Sequence, residues 1–99
     1  MAIKDQPTQI EFQSGALTVF STLTQRMQNK LYNLIGKYVM GEESDLRRAG
    51  LLKDLNDPAL PQAFVLHLNR QLRAIFQLRD DHILLLDILD LDLAKKYFG

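Results

Sequence analysis

The 99-residue chain contains no cysteine. That absence excludes a disulfide scaffold, a thiolate nucleophile and a cysteine-based zinc site. It fits a reducing cytoplasm, which is the expected location. Long apolar runs are missing too. The longest, Ile83 to Leu86, has the length of a strand, far below the 18 or so residues that a membrane-spanning helix needs. No membrane association is expected. The opening residues, MAIKDQPTQ, hold no apolar segment of the kind a secretory signal carries. Excess charge of one sign is absent as well, with 12 Lys and Arg against 12 Asp and Glu. Nucleic-acid-binding domains are usually basic, because neutralising phosphates supplies most of their affinity. A zero balance therefore counts against binding through overall charge. No Gly-rich phosphate loop and no Ser/His/Asp nucleophile pattern is readable. Asp87, Asp90 and Asp92 have no histidine at ligand spacing. No metal and no cofactor is expected. Internal repeats and low-complexity tracts are also lacking.

What is present is enough for one domain over residues 1–99, with residues 1–8 as a loose tail. The apolar fraction is 46%, which supports a core worth roughly 5–10 kcal/mol of stability at this size. Gln9 to Gln13 alternates and reads as a first strand. Ser14 is a candidate N-cap for the helix that follows. Leu17, Phe20, Leu23, Met27, Leu31, Leu34, Ile35 and Tyr38 recur in steps of three and four, which predicts an apolar helical stripe facing the core. One long helix and a helical hairpin with Thr24 capping its second arm both satisfy residues 16–39. Gly41 stands at a C-cap position. Residues 42–57 read as a charged connector, with Ser44 capping a short helix over Asp45–Ala49 and Leu51, Leu52 and Leu55 pinning it to a sheet.

Phe64 to Asp90 carries the chemistry. Phe64, Leu66 and Leu68 alternate with Val65, His67 and Asn69. Leu72, Ala74, Phe76 and Leu78 alternate with Arg73, Ile75, Gln77 and Arg79. Period two marks half-buried strands. His82 to Leu89 is almost continuously apolar, as a central strand should be. The turns fall at Asn69-Arg70-Gln71 and at Asp80-Asp81. From His67 to Arg79 there are three arginines, one histidine and no acid. A turn centred on Arg70 pairs His67 with Arg73 on one face. Such a cluster can hold a phosphate-rich partner, or it can be a solvated sheet face. Arg70 and Arg79, beside turns, fit the solvated reading equally. The element order predicts an α+β domain: a small, twisted, mostly antiparallel sheet of about four strands, N-terminal helices on one face and a short C-terminal helix after Leu91.

That order and the wording of the last three strands resemble the RelE/ParE superfamily of toxin–antitoxin toxins. The nearest pattern is the HigB-like branch, in which a strand aromatic-x-apolar-Arg-apolar-Asn enters a turn and continues as x-Arg-apolar-x-aromatic. Here it becomes Phe64-Val65-Leu66-His67-Leu68-Asn69 and Leu72-Arg73-Ala74-Ile75-Phe76, followed by the acidic turn Asp80-Asp81. Leu52-Lys53-Asp54-Leu55 fits by layout. The resemblance implies a toxin-like component of a bacterial type II module, acting as a ribosome-dependent mRNA endonuclease. It makes Arg73 and His67 the expected catalytic pair. It makes Lys53, Arg70, Arg79, Lys95 and Lys96 expected contacts to RNA phosphate. A cognate antitoxin is the implied partner, with homodimerisation open. The chain departs from the pattern in two places. His67 stands where HigB-like chains tend to carry arginine. Asp90, Leu91 and Asp92 fill a stretch where a basic, His or Tyr residue is expected, and Lys95, Lys96 and Tyr97 arrive later. The alternative is therefore a non-enzymatic interaction module on the same fold, either an inactive toxin relative or a ParE-like inhibitor that binds DNA gyrase.

Overall fold

The computed structural model describes residues 9–92. The predicted short C-terminal helix, with Lys95, Lys96 and Tyr97, and the N-terminal tail lie outside the described residues. A first strand, β1 (Gln9–Phe12), leads into helices α1 (Ser14–Thr22), α2 (Gln25–Val39) and α3 (Glu43–Arg48). Strands β2 (Leu52–Asp54), β3 (Ala63–His67), β4 (Leu72–Leu78) and β5 (His82–Asp90) follow. They form one five-stranded sheet in the order β1-β5-β4-β3-β2. Among the described residues, only the β1–β5 pair is parallel. β5 lies inside the sheet, between β1 and β4, as its apolar run suggested.

The sheet has five strands where the alternation predicted about four. The extra strand, β2, sits inside the stretch read as a connector. Three residues are too few to display a period of two. What makes it a strand is tertiary: Leu52 pairs with Leu66 and is 2% exposed.

The helical segment is a hairpin. The break falls at Leu23, which is extended at φ −74° and ψ 153°. Thr24 caps α2 as the sequence suggested, its Oγ1 accepting from the Met27 N–H at 3.2 Å. Gln28 Nε2 donates to the Phe20 carbonyl and ties the two arms together. Thr24→Ala should cost about 1 kcal/mol, which chemical denaturation would show as a lower midpoint at unchanged slope. Gly41, at φ +91°, closes α2. Its N–H reaches the Tyr38 carbonyl, and the next N–H, of Glu42, reaches Lys37. This is the two-bond glycine ending that requires a left-handed residue.

Three local expectations are corrected. Ser14 does not cap α1. The cap position is Gln13, without a side-chain cap bond, because its N–H still pairs with the Leu85 carbonyl in the sheet. The helix starts where the ladder ends, one residue earlier than a Ser14 cap would place it. Nor does Ser44 cap α3. That helix begins at Glu43 with Glu42 at the cap position, because the backbone leaves the Gly41 turn directly into helix. Leu17, at 49% exposure, lies outside the core. The rest of the stripe packs as expected, with Phe20, Leu31, Leu34 and Ile35 buried.

All three helices lie over one face of the sheet. The core joins their apolar residues to Leu52, Leu66, Leu68, Leu72, Ala74, Phe76, Ile83, Leu85 and Ile88. Phe76 is fully buried, stacked on Phe64 at 5.5 Å and meeting Tyr38 edge-on at 5.6 Å. A bulge interrupts β5 here. Ile75 faces Asp87 while Phe76 faces Leu85, leaving Leu86 as the extra residue. The inserted residue reverses the alternation. Strict period two would turn Asp87 into the core beside Leu85. The bulge instead places Asp87 opposite Ile75 and gives the core position to Ile88.

Candidate functional site

The opposite face of the sheet carries the polar side chains. Along β4, Arg73, Ile75 and Gln77 point away from the helices, since Leu72, Ala74 and Phe76 point toward them. The hairpin register is the one a turn centred on Arg70 requires: His67 stands directly opposite Arg73. Directly opposed residues have Cβ atoms about 5 Å apart. Lys53 comes to the same face on the neighbouring row, where β2, β3, β4 and β5 align as Lys53, Val65, Ile75 and Asp87.

The turn that makes this pair is held by Asn69. Its Oδ1 accepts from the N–H of Gln71 at 2.7 Å and from that of Leu72 at 2.8 Å. This is the local closure for which asparagine is favoured in turns. Arg73 leans on the same turn. Its Nη1 donates to the Asn69 carbonyl at 2.6 Å and to the Leu72 carbonyl at 3.2 Å. Those bonds fix the guanidinium while leaving its other N–H groups for a ligand. The turn is also tied to the end of β5. The Leu91 N–H donates to the Gln71 carbonyl at 2.7 Å, and the Gln71 side-chain amide bonds the Asp92 carboxylate.

Burial first, and then the positive charges of Arg73 and Lys53, hold the His67 imidazole below its ordinary pKa of 6.5. The imidazole is therefore neutral at pH 7 and able to accept a proton. Arg73 and Lys53 present fixed positive charge beside it. A neutral base between two cations suits chemistry in which a proton leaves while negative charge grows on a phosphate.

The shift also has a consequence for stability. A folded-state pKa below the unfolded value favours the neutral form on folding. The associated stability is fully present above pH 6.5 and falls as pH drops through the unfolded and then the folded pKa. His67→Gln should flatten the denaturation midpoint against pH between about 7 and 5 relative to the parent chain.

Arg70 lies exposed in the same turn, close along the chain to the His67–Arg73 pair. Arg79 does not join it. It begins the β4–β5 turn at the other end of the strand, where its N–H bonds the His82 carbonyl. Six residues of strand separate it from Arg73, about 20 Å. His82 closes that far end, with Nδ1 2.8 Å from Asp81 Oδ1 and Nε2 3.4 Å from Glu11 Oε1 on β1. Lys95 and Lys96 lie outside the described residues. Among the described residues, no group of His, Asp and Glu could hold a metal ion.

Two residues escaped the sequence reading. Arg47 binds both Glu43 and Asp54, at 2.9 and 2.7 Å, and lies 5.7 Å from the ring centre of Phe64. It fastens α3 to β2, and so supports the strand that carries Lys53. Gln77 is 7% exposed and donates through Nε2 to the Pro61 carbonyl at 2.8 Å. Nothing in the alternation distinguishes it from a solvated strand residue.

No protein-family model and no curated protein sequence matches the chain. Solved structures do. The YoeB dimer of Staphylococcus aureus superposes at a TM-score of 0.60 with 16% identity, over 83% of this chain and 94% of that one. A chain of the Escherichia coli DinJ–YafQ toxin–antitoxin complex gives 0.60 at 16% identity, over 93% and 98%. A chain of the archaeal RelE–RelB complex from Pyrococcus horikoshii OT3 gives 0.60 at 11%, over 85% and 94%. The superpositions extend over most of this chain and nearly the full length of those chains, and the fold of this chain is that of the RelE-like toxins.

Proposed function

We propose that this chain is the toxin of a toxin–antitoxin pair and that it cleaves mRNA on the ribosome. The observation that carries the reading is the His67–Arg73 pair, with Lys53 beside it, on the sheet face that the described helices leave open. Neutral His67 takes the proton of a ribose 2′-OH. The 2′-oxygen attacks the adjacent phosphorus, and Arg73 and Lys53 stabilise the charge that develops on the non-bridging oxygens. The 5′-oxygen leaves with a proton from solvent, and a 2′,3′-cyclic phosphate remains. Arg70 sits where the backbone of the same strand would pass.

The partner that silences it is a cognate antitoxin, as DinJ accompanies YafQ and RelB accompanies RelE in their complexes. A dimer, as for the YoeB relative, and a cytoplasmic location belong to the same reading. No helix among the described residues is long and apolar enough to cross a membrane.

Inducible expression in a bacterial host tests the reading. The chain should arrest growth and produce cut mRNA, and co-expression of the antitoxin should restore growth. Normal growth with intact mRNA at confirmed folded expression would refute it. The acid limb of the cleavage rate should lie below pH 6.5, because burial, and then the two cations, hold His67 neutral to lower pH. A rate that already falls at pH 7 would contradict His67 as the base.

A further inference from the structure

The row of side chains next to the His67–Arg73 pair ends in an acid. Lys53, Val65, Ile75 and Asp87 align across β2, β3, β4 and β5, and opposed residues project from the same face. Val65 and Ile75 are half-buried, and form an apolar floor between a cation and a carboxylate. Asp87 reaches this face because the bulge at Leu86 reverses the alternation of β5. It lies diagonally across from Arg73, about 7–8 Å away. The Arg73 guanidinium turns instead to the Asn69 and Leu72 carbonyls, and no ion pair joins it to Asp87 among the described residues. Asp87 Oδ1 accepts from the Ile88 N–H at 2.8 Å, which fixes the carboxylate. Oδ2 has no partner among the described residues. It is open to solvent, since Gln77 Oε1 alone among those residues is buried without one.

An acid this close to a phosphate-binding arginine weakens the hold on a polyanion unless it receives donors. A carboxylate only accepts, and single-stranded RNA brings donors on its base edges. We propose that Asp87 reads the base of the nucleotide held at His67 and Arg73, and that it selects guanine. The inference rests on the RNA-cleaving reading and extends it to sequence preference. Guanine alone among the four bases presents two adjacent donors, N1–H and N2–H₂, on its Watson–Crick edge. They match the two oxygens of a carboxylate as a charge-assisted pair. Oδ1 keeps lone-pair capacity beyond the bond to Ile88. The ring lies over Val65 and Ile75. Adenine and cytosine set a ring acceptor beside their amino group, and uracil flanks its single N–H with carbonyls. Each of the three therefore turns an acceptor toward Asp87, a repulsive element that sharpens the choice. One row, about 7 Å along β4, separates this floor from the phosphate site and leaves room for the sugar between phosphate and base.

Short, uncleavable 2′-O-methyl oligonucleotides test the proposal by fluorescence anisotropy on the full chain. One carries a central guanine among uridines, and a second carries hypoxanthine there, which lacks only the N2 amino group. The parent should bind the guanine oligomer about tenfold more tightly, the effect of one hydrogen bond to a charged group. Asp87→Asn keeps the volume and an acceptor for the Ile88 N–H, and it should melt at the parent temperature. Its amide pairs with N1–H and O6, which guanine and hypoxanthine share, so it should bind the two oligomers alike. Asp87→Ala should erase the difference as well. Equal binding of the two oligomers by the parent would overturn the subsite, and loss of that binding in Arg73→Ala would leave the proposed function standing. A guanine preference that survives in both Asp87 variants would also overturn it. No binding of either oligomer by the folded parent would overturn the subsite and count against the RNA-cleaving reading.

Discussion

Arg73→Ala is expected to abolish growth arrest and to slow mRNA cleavage by about a hundredfold or more, the usual cost of removing one preorganised donor from a developing anion. The fold should persist. Arg73 gives two hydrogen bonds to turn carbonyls at Asn69 and Leu72, so the stability loss should be about 1 kcal/mol. That is small against roughly 5–10 kcal/mol in total. The two readouts separate site from scaffold. A purely structural arginine would lose stability and leave cleavage of the remaining folded molecules unchanged. Arg73→Lys should fall between. It keeps the charge but not the planar fork that can hold the turn and a phosphate at once. Coupling to His67 gives a sharper test. If both residues act on one phosphate, the double variant should be little worse than the worse single one, since groups that act as a unit are not additive.

Phe76→Ala should have the largest effect on stability, about 3–5 kcal/mol, read by urea unfolding and by loss of soluble protein at 37 °C. Phe76 is fully buried at the centre of the sheet, between Phe64 and Tyr38. The cavity left by truncation could not be filled by the strand backbone around it. Its Cα partners, Phe64 on β3 and Leu85 on β5, lie at the bulge that turns Asp87 outward. Damage there should therefore reach the open face as well. Phe76→Leu, which retains most of the volume, should cost much less and keep cleavage measurable. Loss of cleavage in Phe76→Leu at normal stability would show that the bulge, rather than the core, positions the site.

The central hairpin was legible in the sequence for a physical reason. Alternation of period two fixes which face each residue takes, and a turn centred on Arg70 fixes the register. The pairing of His67 with Arg73 follows from those two facts and is what the structure shows. Thr24 was legible because an N-cap oxygen acts within its own turn. Features that depend on distant partners were not. Strand β2 exists because Leu52 meets Leu66, so Lys53 could be named as a candidate but not given a face. Leu17 obeys the helical period yet stays exposed, because α1 buries the face that carries Ala16 and Phe20. The place of Arg79, at the far end of β4, was implicit in strand geometry, although its charge had grouped it with Arg73. Gln77 carried no signal: its orphan oxygen is defined by Pro61 and by burial, neither of which an alternating pattern encodes.

The most direct test of the proposed reaction is cleavage of a ribosome-bound mRNA by the purified chain, with the nucleotide before the cut carrying either a 2′-OH or a 2′-H. A single cut that leaves a 2′,3′-cyclic phosphate is expected in the first case and no cut in the second. Neither His67→Ala nor Arg73→Ala should cut the 2′-OH substrate at a comparable rate. Equal cutting of the 2′-H substrate, or full activity in both variants, would contradict it.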